Sequence, residues 1–207
     1  MRRGPILNPA RLSLERQAEV CLQCHLESAS RTIPDSIRRF DRDPFSYRPG
    51  EPLGDFTIYF DSDVPADDSI TVNHSAYGLR RSQCFLRSEG KLRCTTWHDP
   101  HQARRGAEAE KHYTAACRSC HAEGHSDRRT GCVGCHMPRR RAGAAVHAVI
   151  TDHWIRPTPP PSDLRLKPER HGRYAGPVQL YYPPKLAGGL LDRVYLALGA
   201  LTDKGRL

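Results

Sequence analysis

Apolar residues recur at helical spacing in three separate stretches, and the chain between them is broken by turn formers. Leu12, Ala18, Val20 and Leu22 predict a short amphipathic helix over residues 12–24, started at Asn8-Pro9. Ala107, Ala109, Tyr113 and Ala116 predict a second helix over residues 106–117. Leu190, Leu191, Val194, Tyr195, Leu198 and Leu201 predict a third over residues 186–201. Between the first two, Asp43-Pro44, Arg48-Pro49-Gly50-Glu51-Pro52 and Val64-Pro65 mark turns, leaving residues 55–60 and 91–94 as short strands. Thr158-Pro159-Pro160-Pro161 opens a stiff, extended stretch before the last helix.

These elements are too few and too short to bury much chain. Only 38% of the 207 residues are hydrophobic and 7% aromatic, with 17 Pro and 16 Gly. A core made of protein alone would be thin, and regular structure is expected to be sparse. The net charge of +9 suggests nucleic acid or an anionic surface. Yet the arginines are dispersed as pairs (38–39, 80–81, 104–105, 128–129) and one triplet (139–141), with no nucleic-acid-binding motif beside them. A basic face that docks an acidic protein partner is the better reading, and nucleic acid is set aside. No transmembrane run is present, and the basic start Met1-Arg2-Arg3 has no apolar stretch behind it.

The cysteines change the picture. Three times a Cys-x-x-Cys pair is followed at once by histidine: Cys21, Cys24, His25; Cys117, Cys120, His121; Cys132, Cys135, His136. This is the attachment signature of c-type haem, in which two thiols add to the vinyl groups and the next imidazole binds the iron. Zinc or a disulfide framework would explain paired cysteines, but neither requires histidine after the second thiol. With 11 His in 207 residues, histidine after all three pairs is not a compositional accident. Eleven residues separate Cys120 from Cys132, so two haems attached there are forced to be neighbours.

A fourth site is broken. Cys94-Thr95-Thr96-Trp97-His98 keeps the first cysteine and the histidine, but tryptophan replaces the second thiol. Either one thioether from Cys94 and ligation by His98 remain, or no haem binds and Trp97 packs as an ordinary aromatic. Cys84 and Cys94 also flank a turn at Glu89-Gly90, and a disulfide between them would compete with attachment. Three haems are therefore expected, with Cys94 and His98 the place for a fourth. Their propionates would offset about six positive charges, two per haem, with arginine the forked donor.

Each iron needs a second axial ligand. Methionine is scarce, since only Met1 and Met137 exist and Met137 follows His136 directly. Distal histidine is the economical expectation. His101 leads, because Asp99-Pro100 turns it away from His98 toward a neighbouring haem. His125, four residues after His121, and His147 and His153 after the last motif are the other candidates. His74 and His171 sit in polar, turn-rich surroundings and are read as ordinary histidines, while His112 is open.

Together, Ser82-Gln83-Cys84-Phe85, the stretch from Leu92 to His101, the motifs at Cys117 and Cys132, and Thr151-Asp152-His153-Trp154-Ile155 are the residues that carry a likeness to known proteins. The chain resembles bacterial multihaem cytochromes c of the doubled-CxxCH type, in particular the haem module of large secreted proteins that continue into tetratricopeptide repeats. The likeness spans residues 16 to about 161. It implies bis-His haems arranged for electron transfer, a cysteine where Trp97 stands, residues 186–201 as the opening of a repeat helix, and further haem sites upstream.

The expected architecture is a mostly irregular chain with short α-helices and few strands, haems forming much of the core. Residues 1–157 would be the haem domain, truncated at its start, residues 158–185 a proline-rich linker, and residues 186–207 the start of a helical, repeat-like region able to contact other proteins. Haem attachment places the mature protein in the periplasm or outside the cell, its signal segment missing from this sequence. Function is expected to be electron transfer between extracytoplasmic redox partner proteins, without catalysis. Two alternatives stand beside it: a reductase or oxidase of a small nitrogen or sulfur compound at a haem with an open distal position, and a partner-binding scaffold whose haems are structural.

Overall fold

The computed structural model describes residues 6–27, 36–62, 70–121, 131–142, 147–160 and 178–202. Its centre is a three-stranded antiparallel sheet in the order β1 (Ser36–Arg38), β2 (Thr57–Ser62), β5 (Val178–Tyr182). Alternation along β2 sends Ile58 and Phe60 to one face and Tyr59 and Asp61 to the other, and all four are buried. A second sheet pairs β3 (Arg139–Arg141) with β4 (Val149–Thr151). The stretch expected as a proline-rich linker thus ends in a strand of the central sheet, because Tyr182 and Leu180 complete the pattern of β2.

Helix α1 (Leu14–His25) is capped by Ser13, whose side chain accepts from the Arg16 N–H at 3.3 Å. It buries Leu22 against Leu53, Tyr59, Ala76 and Tyr182, with Leu26 just past its end in the same cluster. Each fully buried leucine contributes about 1.5–3 kcal/mol. Glu19, 1% exposed, faces the same interior, where it accepts from Arg16 and the Tyr182 hydroxyl. A buried carboxylate with two donors avoids the large cost of an unpaired charge. Helix α2 (Ser75–Arg80) packs beside α1 and covers this face of the sheet.

The opposite face is covered by α7 (Leu190–Thr202), which begins four residues later than its apolar pattern suggested. Tyr195 packs with Ile58, Phe60 and Leu186, and its hydroxyl accepts from the Phe40 N–H at 2.6 Å. Arg39 pairs with Asp192 at 3.1 Å, which fixes the helix from its first turn. A methyl group at Gly199 would come within 2.6 Å of the Phe60 ring, so glycine sets how closely α7 approaches.

The remaining helices, α3 (Gln83–Arg87), α4 (Cys94–Trp97), α5 (Gly106–Arg118) and α6 (Cys132–His136), form the other part of the molecule. Helix α5 packs against α4 and α6. Residues 91–94, expected as a strand, are instead the approach to α4: the chain turns at Glu89 and Gly90, both at positive φ, and Thr96 accepts from the Arg93 N–H at 3.0 Å to start the helix. Trp97 is the one buried residue in these four helices.

Candidate functional site

Every Cys-x-x-Cys-His segment lies on a helical turn, which puts the first cysteine and the histidine four residues on along one face. Cys21, Cys24 and His25 form the last turn of α1. Cys117 lies in the last turn of α5, and the His121 N–H reaches back to the Cys117 carbonyl at 3.0 Å. Cys132 to His136 are α6 itself. The broken segment has the same turn, with the His98 N–H bonded to the Cys94 carbonyl at 2.9 Å.

The first cysteines meet in pairs. Cys94 lies beside Cys21, and the interaction of the two sulfurs lowers the Cys21 thiol to about 7 while raising that of Cys94. Two further contacts hold the helices together: Arg93 Nη1 donates to Gln17 Oε1 at 3.1 Å, and Gly90 lies against Leu14. Cys117 stands beside Cys132, and burial raises its thiol first, the neighbouring sulfur second. The Cys84–Cys94 disulfide that would compete with attachment is not formed. All eight cysteines are outside disulfides, and α1 takes up Cys94 while Cys84 is turned toward Cys117 and Cys120.

Histidine tautomers are set by the backbone. The Nδ1–H of His136 donates to the Arg156 carbonyl at 2.6 Å, that of His74 to Thr71 at 2.6 Å, and that of His153 to Thr151 at 2.9 Å. A carbonyl only accepts, so each ring carries a proton on Nδ1 and turns Nε2 elsewhere. Burial lowers His74, and it pushes His153 down to about 4, with His98 and His74 adding repulsion. Both therefore stay neutral, the form that binds metal.

His98 is exposed by area but closed in on its other side. Its ring centre lies 5.7 Å from Tyr113 and 6.2 Å from His153, whose ring is tilted 36° to it. Burial lowers its pKa, with His25 and His112 contributing. His112 spends Nε2 on the Trp97 carbonyl at 2.9 Å and so braces the broken turn. His101, the leading distal candidate in the sequence, is exposed in a turn closed by its own N–H to Asp99 at 2.9 Å, and its ring touches no partner among the described residues. His147 is exposed at φ 68°, and His25 and His121 are exposed. His125 and His171 lie outside the described residues.

What holds His153 was not legible as ligand chemistry. Asp152, 1% exposed, accepts from Arg140 at 3.0 Å and from the Trp154 N–H at 2.9 Å, with Arg156 at 3.6 Å. Arg81 and Arg156 cover the two sides of the Trp154 environment, each 3.8 Å from its ring centre. On the other flank, a methyl at Gly78 would meet the Trp154 nitrogen at 3.0 Å, and Ser82 Oγ accepts from the Ile155 N–H at 2.8 Å. His74, Gly78 and Ser82 are spaced by four, one stripe of α2 and its continuation facing this segment, and His74, read from its polar surroundings in the sequence as an ordinary histidine, is buried there.

Among the described residues no three His, Cys, Asp or Glu side chains converge on one metal position, as a zinc or iron–sulfur site would require. Paired thiols, and imidazoles whose Nδ1 is held by a backbone carbonyl, are the donor types that haem attachment and axial ligation use. Among the described residues no helix is long and apolar enough to cross a membrane. The chain matches no protein-family model, no curated protein and no solved structure.

Proposed function

We propose that this protein is a multihaem c-type cytochrome that passes electrons between extracytoplasmic redox partners. One observation carries the reading: the helices that bear or adjoin the cysteine motifs, α3 to α6, bury a single residue, while the imidazoles gathered around them have Nδ1 locked onto backbone carbonyls. A protein of this composition keeps its apolar clusters at the sheet and brings ligand-ready side chains to the part that has no such cluster. Bound haem would supply one-electron redox chemistry there and the apolar surface that these helices lack.

The residues have distinct tasks in this reading. Cys21 and Cys24, Cys117 and Cys120, and Cys132 and Cys135 hold the three haems, and His25, His121 and His136 are the proximal ligands. The Arg156 carbonyl orients His136 and strengthens its Nε2 as a donor. His74, buried with its Nδ1–H held by the Thr71 carbonyl, is a distal ligand for one of these haems, and His101, His125 and His147 are the candidates for the others. Arginines offset propionate charge and leave a basic face for an acidic partner.

The test is intact-mass measurement of the denatured protein after export from a host that attaches haem c. A mass increase by whole haems that survives denaturation is expected, with low-spin spectra for every iron. Absence of covalent haem overturns the reading. A high-spin fraction that shifts with nitrite or sulfite would replace the carrier with an enzyme.

A further inference from the structure

We propose that the broken motif is a working haem site, in which Cys94 makes the only thioether and the iron lies between His98 and His153. This rests on the multihaem reading above. Three independent observations support it.

The first is the backbone. The bond from the His98 N–H to the Cys94 carbonyl, 2.9 Å, reproduces the bond from His121 to Cys117, 3.0 Å. Loss of the second cysteine has therefore not altered the turn that presents the first thiol and the imidazole together. Trp97, 7% exposed, occupies the second thiol's position.

The second is the separation of the rings. Two imidazoles on opposite sides of one metal ion, each bonded at about 2.0–2.1 Å with its centre about 1.1 Å farther out, have centres about 6.3 Å apart. His98 and His153 are 6.2 Å apart. The third is the way His153 is held. Its Nδ1–H is committed to Thr151, and its backbone is wedged against Gly78 and Ser82, so its free nitrogen is fixed in direction. Such support is what a metal-binding imidazole needs and what a surface histidine lacks.

Attachment needs no redox partner. The Cys94 S–H adds across one vinyl group: a C–S bond forms, the S–H bond breaks, and the hydrogen ends on the other vinyl carbon. Trp97 cannot repeat the reaction, so one vinyl group stays conjugated with the ring and the absorption of that haem lies at longer wavelength. The interaction between the Cys94 and Cys21 thiols belongs to the chain before attachment, since both thiols are consumed.

The experiment counts haems in the full exported chain. Four covalent haem masses are expected, with one quarter of the pyridine haemochrome signal at longer wavelength. Cys94→Ala should lower the covalent count to three. Trp97→Cys should keep the count at four and move the displaced quarter back to the position of the others. His153→Ala should convert one low-spin iron in four to high spin. Three covalent haems in the parent chain overturn the proposal and leave the multihaem reading intact; none overturns that reading itself. Four haems with all irons low-spin in His153→Ala would overturn the ligand assignment, and if that variant does not fold, an unshifted spectrum in Trp97→Cys overturns the single thioether.

Discussion

Replacing Asp152 with Asn keeps the shape of the side chain and removes the charge that organises the His153 segment. In the folded chain the carboxylate meets Arg140 at 3.0 Å and Arg156 at 3.6 Å, and its other oxygen accepts from the Trp154 N–H at 2.9 Å. Arg140 is 4% exposed, so its charge cannot turn to water when the carboxylate is lost. Breaking such a buried pair from one side costs about 3–5 kcal/mol. Domains of this size hold about 5–15 kcal/mol in total, so the variant should sit near its unfolding threshold. The double variant Asp152→Leu with Arg140→Met removes both charges. It should recover about 2 kcal/mol of the loss, keeping a deficit of about 1–3 kcal/mol for the Trp154 N–H left without its acceptor. Urea unfolding followed by far-UV circular dichroism measures all three chains. A loss below about 1 kcal/mol in Asp152→Asn, the range of an exposed ion pair, would refute the reasoning. So would a double variant no more stable than the single one.

Gly78→Ala should cost about 1–3 kcal/mol through overpacking, because the new methyl would lie 3.0 Å from the Trp154 nitrogen and 3.2 Å from the His153 carbonyl carbon; unchanged thermal unfolding would show that α2 can shift freely. In the haem-free chain, Cys21 should be alkylated by iodoacetamide with a midpoint near its pKa of about 7, well before Cys94, and equal rates for the two thiols would rule out the interaction between them. Acid should weaken the haem-free chain through His153, whose folded pKa of about 4 lies below its ordinary 6.5. The unfolded chain takes up the proton first, so this contribution is complete above pH 6.5 and is lost as pH falls toward 4, by about 3 kcal/mol at most. His153→Gln should flatten that part of the stability–pH curve, and an unchanged slope would count against it.

Some of the fold was written in local pattern. Helices α1, α5 and α7 follow their apolar spacing closely, and β2 follows Asp55-Phe56-Thr57-Ile58-Tyr59-Phe60 with an offset of two residues. Other elements depended on contacts no local window contains. Val178-Gln179-Leu180-Tyr181-Tyr182 reads as a strand only once Tyr182 meets Tyr59 and the buried Glu19. Residues 91–94 have strand-like alternation, but Arg93 and Cys94 are drawn to α1 by Gln17 and Cys21, and a helical turn starts there instead. The cysteine motifs are read from spacing alone, and the structure adds that each lies on a helical turn. His153 stands among the histidine candidates by its place after the last motif, but how its ring is oriented is not in the local pattern, because its Nδ1 is fixed by whichever carbonyl lies beside it, as Thr151 does for His153 and Thr71 for His74.

The low hydrophobic content takes on a different meaning once it is mapped. It is not spread evenly. Around the sheet, Leu22, Leu26, Leu53, Tyr59, Ala76 and Tyr182 on one face and Ile58, Phe60, Leu186 and Tyr195 on the other make two well-packed clusters from protein side chains alone. In α5, a helix of 13 residues with an amphipathic sequence, no residue is fully buried. An isolated helix of that length is marginal in water, and most helical stability comes from covering an apolar face. The face of α5 that carries Tyr113 and Cys117 looks toward Trp97, His98 and Cys132. Covering that face with porphyrin would give α5 the burial it lacks, and would make the order of the motif-bearing half depend on attachment while the sheet half stands by itself. Hydrogen exchange on chains with and without covalent haem should then show α5 and α6 protected only when haem is attached, with β2 protected in both; equal protection of α5 in the two chains would mean that its packing on α4 and α6 suffices.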